Sequence, residues 1–465
     1  MNLYIFNQTR RGAVFGVGTY IHELVTALKG RDINICVVNL ISEKPQIQTE
    51  WIDGIQYWHF PLAISDQRTT NDQEQWDLYY RNVVYLLRLH IKDKDNLIFH
   101  LNFFESGKLA EELKNAFDCQ LVAVSHFFDW GFTIYDNPER LSRILKQKHP
   151  DALEKRLQTM FEVERTYYST VDHIICMTRY MKDILCKNYG IDIAKISVIP
   201  NGLQDMSDRL DSIALRKKWN LSAEEKIILF AGRFDEIKGI LFLIKAFRNV
   251  LKIYSNCRLI MAGSGNYDIC FQEAKDICTK ITFTGLLNKK DLNEIYQIAD
   301  IGIVPSLFEP FGYVAIEMMM HELPVVATTT SGLNEVVNNA CGLKIPLTIL
   351  SESVEIDVML LSEKIIYLLQ HPIEAKLMGQ NGRKRYLDNY ASEIFRINMV
   401  KTYNSLFQGN YILLYTITKI IKGHITMYPF IIQSFFSFFF PFPSFLTLQE
   451  RVFRKRGSRG SIFGL

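Results

Sequence analysis

Four charged side chains stand among apolar residues, and their types suit a phosphorylated, hydroxyl-rich ligand. Glu309 and Glu317 lie eight positions apart in IGIVPSLFEPFGYVAIEMMMHELPVV, residues 301–326. A carboxylate accepts hydrogen bonds from vicinal hydroxyls, so Glu317 suits a ribose and Glu309 a second sugar. Arg233 and Lys238 stand five apart after the strand-like run 226–231, apolar from Ile227, with the small residue Gly232 between run and Arg. A guanidinium fork and an ammonium point charge together suit a diphosphate. For either cation alone, an exposed charged turn is the simpler reading; the cluster favours the ligand. His126, in VAVSHFFDW, follows another apolar run. A histidine satisfied by a neighbouring loop is the plain alternative there, and the position at a strand end favours a site.

These side chains need strands and helices to hold them. Residues 301–304 read as a buried strand, 305–310 as a turn, about 311–321 as a helix, and the residues after Pro324 as another strand. The helix beginning at Phe311-Gly312-Tyr313 turns its free N–H groups toward an anion. Earlier strands are expected at 226–231, 258–262 and 281–284, with helices at 239–254, 266–279 and 289–298. The N-terminal half repeats the alternation, with strands at 3–6, 33–40, 96–101, 120–124 and 173–177 and helices at 19–29, 78–91 and 180–189. Residues 43–77 read as a hairpin and long loop. A loop over 7–18 carries Gly12, Gly16 and Gly18, which suit either a phosphate or a simple corner. Alternation of this kind predicts an α/β chain of two doubly wound, Rossmann-like halves facing a cleft, where ligands bind beyond the strand ends.

Length and composition set the remaining bounds. The 465 residues exceed one ordinary core, so two domains are expected. A net charge of +3 gives no case for nucleic acid. Eight cysteines without a CxxC pair give neither a zinc site nor a disulfide framework and fit a reducing cytosol. Residues 1–6 form a strand-like run rather than a secretion signal. The lone D-x-D, Asp93-Lys94-Asp95, reads as a solvated turn. Basic residues over 139–168 are interleaved with Glu139, Asp151, Glu154, Glu162 and Glu164, which reads as a solvated face; an anionic membrane is the second reading. A dinucleotide is disfavoured, because neither half offers G-x-G-x-x-G with an acid about twenty residues on.

In combination these motifs resemble a retaining glycosyltransferase of the GT-B type, family four. The E-x7-E of that family matches Glu309 and Glu317 in EPFGYVAIE, and its G-R…K-G element matches Gly232, Arg233, Lys238 and Gly239. The linker IPNG (199–202), the N-terminal glycine loop and His126 fall in the same order, over roughly residues 1–408. The resemblance implies residues 1–200 as an acceptor-side domain, 201–390 as the nucleotide-sugar domain, and 391–408 as a helix crossing back. It implies Arg233 and Lys238 on the departing diphosphate, Glu317 on the ribose, Glu309 on the transferred sugar and His126 lining the first-domain side. Gly16, Gly18, Gly232, Phe311, Gly312 and Tyr313 would let backbone and helix end approach the donor. It further implies a UDP- or GDP-sugar donor, a glycan or lipid-linked acceptor, no metal, and front-side displacement. Two departures stand out: Pro310 follows the first acid, and Glu322 occupies a usual helix-capping glycine, where a left-handed residue costs about 1 kcal/mol. The rivals are an inverting or epimerising enzyme on the same fold and a non-catalytic sugar-binding protein.

Residues 409–465 differ from the rest. No Asp, Glu, Lys or Arg occurs over 425–449, which is crowded with phenylalanine, and five basic residues follow over 451–459. Prolines 429, 441 and 443 disfavour a straight span, and a span would export the basic end against the positive-inside rule. An interfacial anchor beneath a cytoplasmic enzyme at the inner face of the cell membrane and an extension without a role fit equally.

Overall fold

The computed structural model describes residues 1–8, 16–62, 72–103, 107–135, 137–207 and 210–421, with 72–73 and 408–421 described by backbone alone. Expectations for Gly12 and for residues 422–465, the aromatic and basic tail among them, lie outside the described residues. Residues 1–400 form one compact unit that contains two parallel sheets.

The first lobe runs β1 (Asn2–Gln8), α1 (Gly16–Leu28), β2 (Asn34–Ser42), β3 (Gln48–Ile52), β4 (Ile55–Pro61), α2 (Asp72–His90), β5 (Leu97–Leu101), α3 (Gly107–Ala116), β6 (Gln120–Ser125), α4 (Asp129–Ile134), α5 (Pro138–Leu145), α6 (Ala152–Thr170), β7 (His173–Cys176), α7 (Arg179–Lys187) and β8 (Ile196–Val198). Its sheet order is β3-β4-β2-β1-β5-β6-β7-β8, parallel except for the antiparallel edge strand β3. Order reverses between β1 and β5; Asn102 follows β5, and His126 follows the neighbouring strand β6.

The second lobe runs α8 (Ser212–Lys218), β9 (Lys226–Ala231), α9 (Ile240–Ile253), β10 (Cys257–Ala262), α10 (Tyr267–Ala274), β11 (Ile281–Gly285), α11 (Lys289–Ile298), β12 (Ile301–Val304), α12 (Tyr313–Met320), β13 (Val325–Thr328), α13 (Leu333–Val336), β14 (Gly342–Ile345), the hairpin β15 (Leu347–Ile349) and β16 (Val354–Ile356), α14 (Val358–Gln370) and α15 (Pro372–Asn389). Six parallel strands are ordered β11-β10-β9-β12-β13-β14, and the reversal falls between β9 and β12. Strands β12 and β13 are buried throughout, as an all-apolar run in a parallel sheet covered on both faces requires.

Two chain crossings join the lobes. Residues 199–211 pass one way, and the chain returns where α15 gives way to α16 (Ser392–Ile421). The crossings are paired: Leu203 N donates to Tyr390 O at 2.8 Å, and Ser392 N donates to Leu203 O at 3.0 Å. Phe395, at the start of α16, lies against Gly202 and meets the Tyr20 ring of α1 edge-on at 5.7 Å.

Several element boundaries differ from expectation. Helix α1 starts at Gly16, so Gly16 and Gly18 form its first turn rather than the preceding loop. Helix α2 starts at Asp72, six residues early, and Glu74 and Gln75 in its early part are exposed. Helix α10 stops at Ala274, ahead of a short 3-10 turn over 278–280. Helix α16 continues to Ile421 where an end near 407 was expected, since no proline interrupts 408–421. Over 139–168 two helices form, and Glu164 is not on their solvated face: it is wholly buried. It lies on the inward stripe Leu157, Phe161, Glu164, Tyr168 of α6. Among the described residues no helix is long and apolar enough to cross a membrane.

Candidate active site

At the second-lobe reversal, β9 ends in Gly232-Arg233, and a 3-10 turn over 236–238 delivers Lys238. Gly239 then turns into α9 with φ 65°, and its carbon face is so close to Pro305 that a Cβ would stand 1.9 Å from the Pro305 carbonyl oxygen. Only glycine meets both conditions, so the loops after β9 and β12 are locked together. That contact brings Lys238 Nζ within 2.6 Å of Glu309 Oε2, a half-buried ion pair spanning the two motifs. Arg233 pairs with Asp235 at 3.1 Å. The structure thus places Glu309 on a cation.

Gly312 (φ 102°) starts α12, whose first N–H groups lie between Glu309 and Glu317 in the chain. Phe311 is buried, packed edge-on against Tyr313 at 5.5 Å, so what it offers a ligand is backbone rather than ring. Glu317 projects from α12 toward α11, where Tyr296 Oη donates to its Oε2 at 2.7 Å. Burial pushes the Glu317 carboxyl upward, and Glu23 across the cleft adds to this; the Tyr296 hydroxyl and the charge of Lys289 act the other way. Sequence reading missed Tyr296, Lys289 and Glu23, because each reaches Glu317 from another element. At the far end of α12, Glu322 adopts φ 61°, the left-handed conformation expected of the missing glycine.

The first lobe meets this wall closely. Gly16, opening α1, faces the Tyr313 ring, and a Cβ there would lie 3.6 Å from it. Two helix N-termini therefore converge on one region of the cleft. Among the described residues, the buried Tyr313 hydroxyl has no hydrogen-bond partner. His126, just past β6, is 8% exposed, and its Nε2 lies 3.0 Å from Asn102 Oδ1. Beside it, His100 Nε2 lies 3.2 Å from Tyr20 Oη. Burial holds both imidazoles neutral, with pKa values lowered to about 3.

Further contacts hold the lobes together around the site. Phe308, in the turn before Glu309, fills the space above Gly131 of α4 and meets Phe132 edge-on at 4.9 Å. Glu335 of α13 accepts hydrogen bonds from Arg179 N at 3.0 Å and Tyr180 N at 2.5 Å, capping α7 of the other lobe. Arg140 and Arg143 of α5 both pair with Glu352 on the β15–β16 hairpin, at 2.5 and 3.0 Å. Beneath α4, buried Glu164 accepts from Asp129 N at 3.0 Å and from the Tyr189 hydroxyl.

The Asp93-Lys94-Asp95 segment is exposed, and Asp95 N donates to the Asp93 carboxylate at 3.1 Å, a local turn. Among the described residues no three His, Cys, Asp or Glu side chains are grouped to hold a metal.

Comparison with known proteins adds to this geometry. Residues 211–385 match the family described as glycosyl transferases group 1, and residues 14–205 match glycosyltransferase family 4. An uncharacterized glycosyltransferase of Methanocaldococcus jannaschii is 32% identical over 185 residues, 37% of this chain and 47% of that protein. The chain spans about half the length of the first curated relatives it matches. Among solved structures, sucrose-phosphate synthase from Thermosynechococcus elongatus superimposes with a TM-score of 0.69 at 22% identity, covering 88% of this chain and 99% of that one. HepE of Anabaena in complex with UDP-glucose gives 0.65 at 16% identity, over 87% of this chain and all of that one. At these identities the likeness is one of fold, and the fold is GT-B.

Proposed function

We propose, from the premise that this chain belongs to the GT-B glycosyltransferases of family four, that it transfers a hexose from a nucleotide diphosphate sugar to a hydroxyl of a glycan or lipid-linked saccharide. One observation carries the reading. Glu309 and Glu317 sit on either side of a helix N-terminus, Lys238 lies 2.6 Å from the first acid, and a second helix N-terminus faces them across the cleft. Cations and helix ends suit a diphosphate, and acids suit the hydroxyls on either side of it.

In this reading Glu317, braced by Tyr296, takes the ribose hydroxyls. Arg233, Lys238 and the α12 N–H groups take the negative charge that grows on the diphosphate as the anomeric C–O bond breaks. Lys238 releases Glu309 to the hydroxyls of the transferred sugar as it engages phosphate. The acceptor oxygen bonds to the anomeric carbon on the face the phosphate leaves, and its proton passes to the departing phosphate oxygen. Neither glutamate moves a proton, and the anomeric configuration is retained. The donor base is uracil or guanine, and the protein's own cations carry the charge a metal would otherwise carry. The work is done on the cytosolic side, with the aromatic and basic residues 425–459 as a peripheral contact to anionic lipid.

Incubation with a panel of UDP- and GDP-sugars, read by nucleotide release, thermal stabilisation and the anomeric proton coupling of the product, tests this. Retention with one or two donors is expected. An inverted product points to the inverting rival, and binding without turnover to the sugar-binding one. If no nucleotide-sugar binds, the reading is wrong.

A further inference from the structure

Beneath His126 lies an amide whose orientation is set by the backbone. Asn102, immediately past β5, is 3% exposed, and its Nδ2 donates to the Phe6 carbonyl oxygen on β1 at 2.9 Å. Reversing the amide would set its oxygen against that carbonyl, leaving two acceptors face to face. Asn102 Oδ1 therefore points to His126 Nε2, 3.0 Å away. An amide oxygen only accepts, so the hydrogen of that bond must be on Nε2. Burial keeps His126 neutral, so its ring carries one N–H, and Asn102 claims it. Nδ1 is left with its lone pair. The Tyr20 ring meets His126 edge-on at 4.8 Å and is itself tied to His100, which limits reorientation of the imidazole.

We infer that Asn102 is a positioning residue that fixes His126 in the Nε2-protonated form, so that His126 meets the donor sugar through Nδ1 as a hydrogen-bond acceptor. The consequence for substrate class is definite. The transferred sugar must present a hydroxyl hydrogen to His126, and a donor deoxygenated or methylated there is discriminated against. The sugar as partner rests on the proposed transferase reading; the tautomer does not.

Long-range 1H–15N correlation spectra of ring-15N-histidine protein read the tautomer directly, with His126 assigned from the signal lost in His126→Gln. A pyrrole-type Nε2 and a pyridine-type Nδ1 are expected in the unaltered protein; a proton on Nδ1 overturns the proposal. Asn102→Leu removes the acceptor, mixing or reversing the tautomer. In Asn102→Leu the KM for the nucleotide-sugar rises about tenfold, as loss of one buried hydrogen bond implies, with unchanged affinity for the free nucleoside diphosphate. Equal weakening of both ligands, or an unchanged tautomer, overturns it. If Asn102→Leu does not fold, the spectra of the unaltered protein still decide. If the tautomer is as expected and no nucleotide-sugar binds, the transferase reading fails while the positioning of His126 by Asn102 stands.

Discussion

The two walls of the cleft are built on opposite electrostatic principles. The second lobe presents the charged side chains Arg233, Lys238 and Glu309, with the buried carboxyl of Glu317, beside a helix end. The first lobe presents His126, with His100, Tyr20 and Asn102 behind it, all buried and all neutral. Fixed charge stands where a leaving group would gather charge, and neutral hydrogen bonding stands where a sugar would only need orientation. The difference predicts that the walls fail differently when altered.

Removing a charge should do most damage. Lys238→Ala unpairs Glu309 and withdraws the cation from the diphosphate; we expect transfer to fall by about 100-fold or more, measured as nucleotide release, and its sensitivity to ionic strength to drop. A His126→Gln protein with a comparable loss of salt dependence would break the contrast. Closing the walls comes next. Gly131→Ala places a Cβ 2.4 Å from the Phe308 ring, and Phe308 is itself buried. Overpacking of this kind costs about 1–3 kcal/mol, so the donor KM should rise together with the scattering radius. A third test concerns α12 itself. Glu322→Gly relieves the left-handed strain and should stabilise by roughly 1 kcal/mol, less the entropy glycine adds to the unfolded chain, seen as a shifted denaturant midpoint.

The remaining tests concern the supports. Burial raises the Glu164 carboxyl to about 7, against 4.5 unperturbed, so the folded protein holds that proton more firmly than the unfolded chain. The associated stability is full below the unfolded value and declines as pH rises from about 4.5 to about 7. Glu164→Gln should flatten the melting temperature over that window, and a profile identical to the parent would show that Glu164 is charged. Glu352→Gln breaks an exposed pairing to Arg140 and Arg143 and should cost less than about 1 kcal/mol, disappearing at high salt.

Much of the second wall was legible because its motifs are local and its strands fully buried. Residues 227–231, led by Lys226, and 301–304 are apolar runs, and 226–231 and 301–304 are β9 and β12 to the residue. The turn after each strand then had to carry the chemistry. What was not legible depends on register between elements far apart in the chain. Tyr296 reaches Glu317 from 21 residues away, Lys238 reaches Glu309 from 71, and Arg140 reaches Glu352 from 212. No periodicity encodes such partners. Asn102 under His126 is the same kind of case, since the tautomer depends on a carbonyl of a third strand. Glu164 is different: its place on the stripe with Leu157, Phe161 and Tyr168 carried the information, and counting charges along α6 instead of around it hid the inward turn.

The paired crossings at Leu203 and Ser392 bear on how the molecule could be divided. Leu203 and Ala391, one from each passage, form a single isolated parallel bridge, and Arg383 on α15 also pairs with Asp205. The polypeptide need not be continuous at that seam for its edges to recognise one another. Two fragments separated there carry complementary backbone donors and acceptors, so the seam is the natural cut for a two-piece reporter whose reassembly restores the cleft.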